Sequence, residues 1–157
     1  MEIWHANGLG TYSFFDKRQS EFNLRRTIIA DNAGHYLAQT TMPVGYGCPP
    51  EGTTQALLNK LGRHGNRPTH VHYFVKAPGY RKLTTQVNVE GDQYLWDDFA
   101  FATRDGLVAV AVDVSDADEL QRLGATAPVK HITFNVELVK DQATAPTSEV
   151  DRRRVAA

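Results

Sequence analysis

The sequence predicts a mainly β protein, a β-sandwich of mixed or antiparallel sheets with short surface helices. Three observations lead there. Apolar and polar residues alternate in short runs bounded by Gly, Asn, Asp and Pro, the pattern of strands joined by turns. Only two stretches carry helical spacing. With 157 residues the chain has the length of one domain, which can bury roughly 70% of its unfolded surface without a disulfide to hold it.

Strands are predicted over residues 1–5, 24–30, 35–41, 70–76, 83–89, 107–114 and 130–138, the last three alternating well or rich in β-branched residues. The first is abrupt. Glu2, Ile3, Trp4 and His5 read as the middle of a buried strand with one residue ahead of them, which predicts a piece of a longer parent. Residues 53–61 space Leu57, Leu58 and Leu61 for one helical face behind Thr caps, and residues 116–123 do likewise before Gly124. From Asp141 onward Ala, Thr, Pro and Ser replace any apolar period. The expected organisation is a domain over 1–140 and an extended tail over 141–157.

Composition removes several function classes. Seventeen Lys and Arg against 18 Asp and Glu leave a formal charge of −1, with no basic concentration except Arg152, Arg153 and Arg154, so nucleic acid is a poor partner. The lone Cys48 rules out an internal disulfide and fits the cytoplasm. No apolar run reaches the roughly 20 residues of a membrane helix. Gly8, Gly10 and Ser13 fail the dinucleotide-binding fingerprint, which also requires a βαβ context.

The sharpest chemical feature is His70-Val71-His72, because alternation along a strand turns both imidazoles to one face. A metal site and a half-buried pair bonded to backbone account for that spacing equally well. Other ligands of the usual kinds are scarce: there is one thiol, no His-Glu-x-x-His helix, and no acid after His72 before Glu90, against a cupin-type set. A zinc hydrolase lacks its third ligand and its general base. Oxygen donors could come from Tyr12 and Tyr46, both in glycine-rich turns, where glycine leaves room for a sharply aimed side chain. Tyrosines packing on a sandwich rim explain the same turns. If Tyr12, Tyr46, His70 and His72 meet, the set favours a strongly Lewis-acidic ion, since a phenol of pKa about 10 ionises at neutral pH only with such help. Ferric iron suits it best, ahead of zinc, calcium or magnesium.

Six segments in order, residues 3–7 (IWHAN), 22–26 (FNLRR), 45–50 (GYGCPP), 62–72 (GRHGNRPTHVH), 83–86 (LTTQ) and 96–99 (WDDF), closely resemble the intradiol ring-cleaving dioxygenases. The resemblance runs from Ile3 to about Leu138. It implies non-haem Fe(III), one per chain, bound by Tyr12, Tyr46, His70 and His72, with Tyr46 and His72 axial and Tyr12 and His70 equatorial. It further implies Arg67 and Gln86 beside the bound ring, Cys48 and Phe99 lining the pocket, and Tyr46 leaving the metal to accept a substrate proton. A fixed cation at Arg67 can stabilise charge developing on an oxygenated ring, while its plainer role is a salt bridge to a nearby acid. The implied substrates are catechol and dioxygen, and the product cis,cis-muconate. Cys48 and Trp96 resemble the forms acting on unsubstituted catechol, with chlorocatechol and hydroxyquinol cleavers as alternatives. His5 and His64 are expected to pin loops, and Trp4 and Trp96 to anchor packing.

Full-length members of that family are roughly twice as long and carry a helical amino-terminal domain that makes a homodimer. The resemblance implies that this domain and the first strands of the sandwich are missing. An exposed sheet edge and uncovered apolar surface are expected, as is a chain that binds metal without efficient turnover.

Overall fold

The computed structural model describes residues 1–141. Of the expected tail, all but Asp141 lies outside the described residues. The elements in chain order are β1 (Glu2–Trp4), β2 (Arg25–Thr27), β3 (Tyr46–Gly47), α1 (Thr53–Lys60), β4 (Asn66–Arg67), β5 (His70–Val75), β6 (Leu83–Val89), a 3-10 turn (Asp105–Leu107), β7 (Val108–Ala109), β8 (Ala111–Val114), α2 (Ala117–Arg122) and β9 (Val129–Ile132). The described chain is mainly β, as predicted.

One five-stranded sheet organises it, in the order β2-β1-β5-β6-β7. The pairs are antiparallel except β6 with β7, which run parallel. Strand alternation gives this sheet two unlike faces. Ile3 lies opposite Tyr73 and Val71 opposite Val87; Ile3, Tyr73 and Val87 join Val75 and Ala109 in the buried core, and Val71 packs against it half-buried. Ile132, Phe134, Val136 and Leu138 cover that face as the second layer. The other face carries Trp4, His72 and Gln86 on one rung and His70 and Asn88 on the next.

Several expected boundaries are corrected. Residues 35–41 form no strand: side chains hold them instead, with the Tyr36 hydroxyl donating to Phe134 O at 2.7 Å and Gln39 Nε2 to Leu123 O at 2.8 Å. Alternation marks an extended segment, but a ladder also needs a free neighbouring edge. The strand expected over 24–30 shrinks to β2: Leu24, with φ 57°, lies outside the β region, and the ladder with β1 stops at Thr27 opposite Glu2. Residues 107–114 divide at Val110 between two sheets, β7 on β6 and β8 on β9. The ladder expected over 130–138 ends at Ile132.

The helices are placed as expected, with two differences. Gly52, not a threonine, caps α1, and of its predicted face only Leu58 is buried. In α2 the Asp116 side chain accepts the Glu119 amide at 3.0 Å, and Gly124 with φ 66° ends the helix. Trp96 is 66% exposed and anchors no packing. All three residues of β2 are exposed, as are Leu9, Phe14, Phe15 and Ile29. The predicted open edge and apolar surface are therefore both present.

Candidate metal centre

Three segments deliver the site. β5 turns His70 and His72 to the same face, with Nε2 atoms 3.2 Å apart. The two-residue ladder of β3 and β4 sets Tyr46 opposite Arg67. A tight turn over residues 7–11, in which the Asn7 side chain accepts the amides of Leu9 and Thr11, leads into Tyr12. The Tyr12 hydroxyl then reaches Tyr46 Oη at 3.5 Å, their rings edge to face. Glycine is required where these segments touch. Gly10 has φ +73°, and a Cβ there would lie 3.1 Å from that of Tyr46, while one on Gly45 would lie 2.6 Å from Arg67 O.

Arg67 joins the tyrosine pair to the histidine pair. Its Nη1 lies 3.3 Å from Tyr46 Oη and 3.2 Å from His70 Nε2. Its Nε and Nη2 donate to Asp98 Oδ1 and Oδ2, each at 3.1 Å, and Nη2 also donates to Gln86 Oε1 at 2.7 Å. The plain role expected of Arg67, a salt bridge, and a place beside the four donors thus coexist. Burial opposes its charge, yet Asp98 and Tyr46 outweigh that and hold the proton more tightly than usual.

The donor set suits a cation. His70 Nδ1 is 2.6 Å from Pro68 O, which fixes the proton there and leaves the Nε2 lone pair facing the cluster. Burial lowers His70 to about 4, and burial with the neighbouring imidazole lowers His72 to about 3, so both rings are neutral at physiological pH. Trp4 stacks on His72 with centroids 4.9 Å apart and 13° between planes, restraining that ring. Burial raises the Tyr12 phenol above its ordinary value, and the adjoining Tyr46 adds to the shift. Such a phenol gives up its proton only to a strong local positive charge. Among the described residues no group of three or more His, Cys, Asp or Glu is placed to hold a metal. A metal at this cluster must therefore take phenol oxygens along with the imidazoles, the donor chemistry that fits ferric iron.

The structure brings together Tyr12, Tyr46, Arg67, His70, His72 and Gln86. Cys48 and Phe99 sit half-buried to either side of β4, their amides donating to Gly65 O at 2.9 Å and Asn66 O at 3.1 Å. His64 pins its loop by accepting the Asn66 amide at 3.1 Å, and His5 lies 2.8 Å from Thr40 Oγ1. Two contributors escaped sequence reasoning. Asp98 lies within the quoted WDDF run, and Asn88, fully buried, stands two residues beyond Gln86 and accepts its amide at 2.8 Å. A polar residue repeating the site-face register of β6 was the available signal for Asn88. An open cleft of about 600 Å³, lined by Tyr46, Asn66, Arg67, Asp92 and Tyr94 among others, meets the cluster at Tyr46 and Arg67 and at neither histidine.

A sequence family described as dioxygenase matches residues 1–139. A catechol 1,2-dioxygenase of Acinetobacter guillouiae is 70% identical over 146 residues, 93% of this chain and 48% of that protein. The crystal structure of wild-type Acinetobacter radioresistens catechol 1,2-dioxygenase superposes with a TM-score of 0.88 at 76% identity, covering 99% of this chain and 50% of that one. A chlorocatechol 1,2-dioxygenase of Cupriavidus pinatubonensis is 40% identical over 146 residues, 92% of this chain and 53% of that protein. The chain spans about half the length of these relatives. The match extends over almost every described residue and includes each segment that builds the cluster, and the chain belongs to the intradiol dioxygenase family.

Proposed function

We propose that this chain is the metal-binding, ring-cleaving portion of a catechol 1,2-dioxygenase, converting catechol and dioxygen to cis,cis-muconate. One ferric ion per chain would be held by Tyr12, Tyr46, His70 and His72. The observation that carries this is the convergence of two phenol oxygens and two imidazoles, with Arg67 Nη1 within 3.3 Å of both pairs. Bound there, ferric iron would supply Lewis acidity toward both oxygens of a catechol dianion and activate the ring toward dioxygen.

The residues divide the remaining work. Tyr46 Oη, ionised only while it helps to hold the ion, would accept one of the substrate's two hydroxyl protons, the other passing to solvent. Arg67 Nη1, beside that oxygen, offers an N–H to negative charge developing on the ring, and Gln86 holds the guanidinium from below. Cys48 and Phe99, flanking β4, bound the substrate side. His70 is 2% exposed and Arg67 9%, so these charges and dipoles act where little water screens them. Residues 1–140 would form the catalytic unit. The whole protein would act as a homodimer in the cytoplasm, in keeping with a chain of one cysteine; among the described residues no helix is long and apolar enough to cross a membrane.

The test is optical. The purified chain with ferric iron should show a visible tyrosinate-to-iron charge-transfer band that shifts when catechol is added. A colourless chain would overturn the reading in favour of a β-sandwich module without this chemistry. Relatives named for chlorocatechol and hydroxyquinol share fewer residues with this chain than those named for catechol. Catechol is accordingly expected to have the highest kcat/KM of the three.

A further inference from the structure

The guanidinium of Arg67 has five N–H donors in a rigid fork, and the structure accounts for all five. Nε–H and one Nη2–H go to the carboxylate of Asp98, the other Nη2–H goes to Gln86 Oε1, and the two on Nη1 face Tyr46 Oη and His70 Nε2. Asp98 is equally committed. Its side chain is 1% exposed, Oδ1 also accepts the Ala100 amide at 3.1 Å, and Oδ2 the Ala102 amide at 3.2 Å. Gln86 is fixed in turn, since its Nε2 donates to Asn88 Oδ1 at 2.8 Å and Asn88 Nδ2 donates to Thr103 Oγ1 at 3.2 Å. The guanidinium settles which way the Gln86 amide faces: Arg67 carries donors only, so the oxygen must point at it.

We propose that Asp98 is a positioning residue for the ring-cleaving reaction, clamping Arg67 so that Nη1 alone faces the metal cluster, with Asn88 closing the clamp from the opposite side through Gln86. The inference rests on the proposed function. Without Asp98 the planar fork could turn about its Cδ–Nε bond and present either Nη atom, or neither, to the cluster. With Asp98 in place two of the five donors are spent on its carboxylate, and Gln86 takes a third. When His70 gives its Nε2 lone pair to a cation, one Nη1–H loses its protein acceptor and is left for a substrate oxygen. Asp98 therefore never meets the substrate. Its effect is to decide which nitrogen of Arg67 does.

The test compares the unaltered chain with Asp98→Asn, which keeps the shape and removes the charge and one acceptor, and with Asp98→Glu, which keeps the charge and displaces the carboxylate by one methylene. The first readout needs no metal: nitrogen-15 NMR of arginine side chains in the iron-free chain. Arg67 is expected to give a slowly exchanging Nε–H signal that is lost in Asp98→Asn and retained, at a changed shift, in Asp98→Glu. The second uses the iron-loaded proteins. Both variants are expected to bind iron, to shift the charge-transfer band of the catechol complex, and to lose roughly 10- to 100-fold in kcat with KM changed less than about threefold. A protected Arg67 signal surviving in Asp98→Asn overturns the clamp. So do kcat and band unchanged in Asp98→Glu, which remains informative should Asp98→Asn fail to fold. An unaltered chain that forms no coloured iron complex refutes the proposed function instead, and the metal-free NMR comparison still decides whether Asp98 orients Arg67.

Discussion

A buried carboxylate is tolerable at Asp98 because each of its oxygens is engaged twice. Burial alone would raise its pKa, and the Arg67 guanidinium with the amides of Ala100 and Ala102 more than reverses this, leaving the carboxyl below its ordinary value. Unfolded, it titrates near about 3.9. A group whose pKa is lowered by folding contributes stability that is complete above the unfolded value and lost as pH falls through the folded one. The loss window for Asp98 therefore lies below about pH 4. Urea midpoints should fall between about pH 5 and about pH 3, and part of that fall should vanish in Asp98→Asn. The same variant leaves Arg67 charged, buried and half-paired, and is expected to be less stable at neutral pH by about 3 kcal/mol. An acid dependence in Asp98→Asn as steep as in the unaltered chain would show that other carboxylates carry it. At Tyr46 the expectation concerns metal and not folding. Tyr46→Phe removes the hydroxyl that Tyr12 and Arg67 both contact, and iron competition against a chelator should reveal affinity weakened beyond about 100-fold, the upper range for residues that touch only a ligand.

Neighbouring residues of one strand serve different ends, and β6 shows it most plainly. Val87 is 2% exposed in the core, while Gln86 and Asn88 on either side of it face the cluster. Val87→Ala should cost about 2 kcal/mol in folding free energy, measured by denaturant titration, with iron stoichiometry unchanged. Gly45→Ala tests the crossing of the Tyr46 turn over β4: its Cβ would lie 2.6 Å from Arg67 O, a backbone atom that cannot rotate away. About 1–3 kcal/mol of destabilisation is expected, together with weakened iron binding, because the same displacement moves Tyr46. Much of this was legible in the sequence. His70 and His72 differ by two residues, and a strand permits no arrangement except the same face. The glycines around Tyr46 marked a sharp turn that aims its side chain. The short β3–β4 ladder was not legible, since two paired residues leave no periodic trace, and nor was the division of residues 107–114 between two sheets, because alternation continues through a crossing that only a partner strand reveals. Residues 35–41 failed for the complementary reason: they are extended but bonded through side chains. Asp98 was hidden because a carboxylate in a loop of acids looks like any solvated charge until its distance to Arg67 is known.

At the scale of the molecule, one sheet separates two environments that the function requires to be unlike. The Ile3, Tyr73, Val87 face is closed by the layer from Ile132 to Leu138 and supplies the rigidity, while the His70, His72, Gln86 face holds the polar network. The two faces are covered to different degrees. Near the cluster, the open cleft reaches Tyr46, and Leu9, 75% exposed, with Phe14 and Phe15, each 78% exposed, leaves the apolar surface beside Tyr12 uncovered. All four proposed iron ligands are within the chain, so it is expected to bind iron by itself. Turnover needs water kept from the developing charge, which an open approach does not do. The two properties should therefore separate in experiment. The iron-loaded chain is expected to display its charge-transfer band yet consume oxygen with catechol at least about tenfold more slowly per iron than the full-length Acinetobacter radioresistens enzyme, equivalent to about 1.4 kcal/mol at the barrier. Oxygen-electrode rates matched for iron content would measure this. Equal rates would mean that the Arg67 network alone provides the shielding, and that the exposed apolar residues around Tyr12 have no part in catalysis.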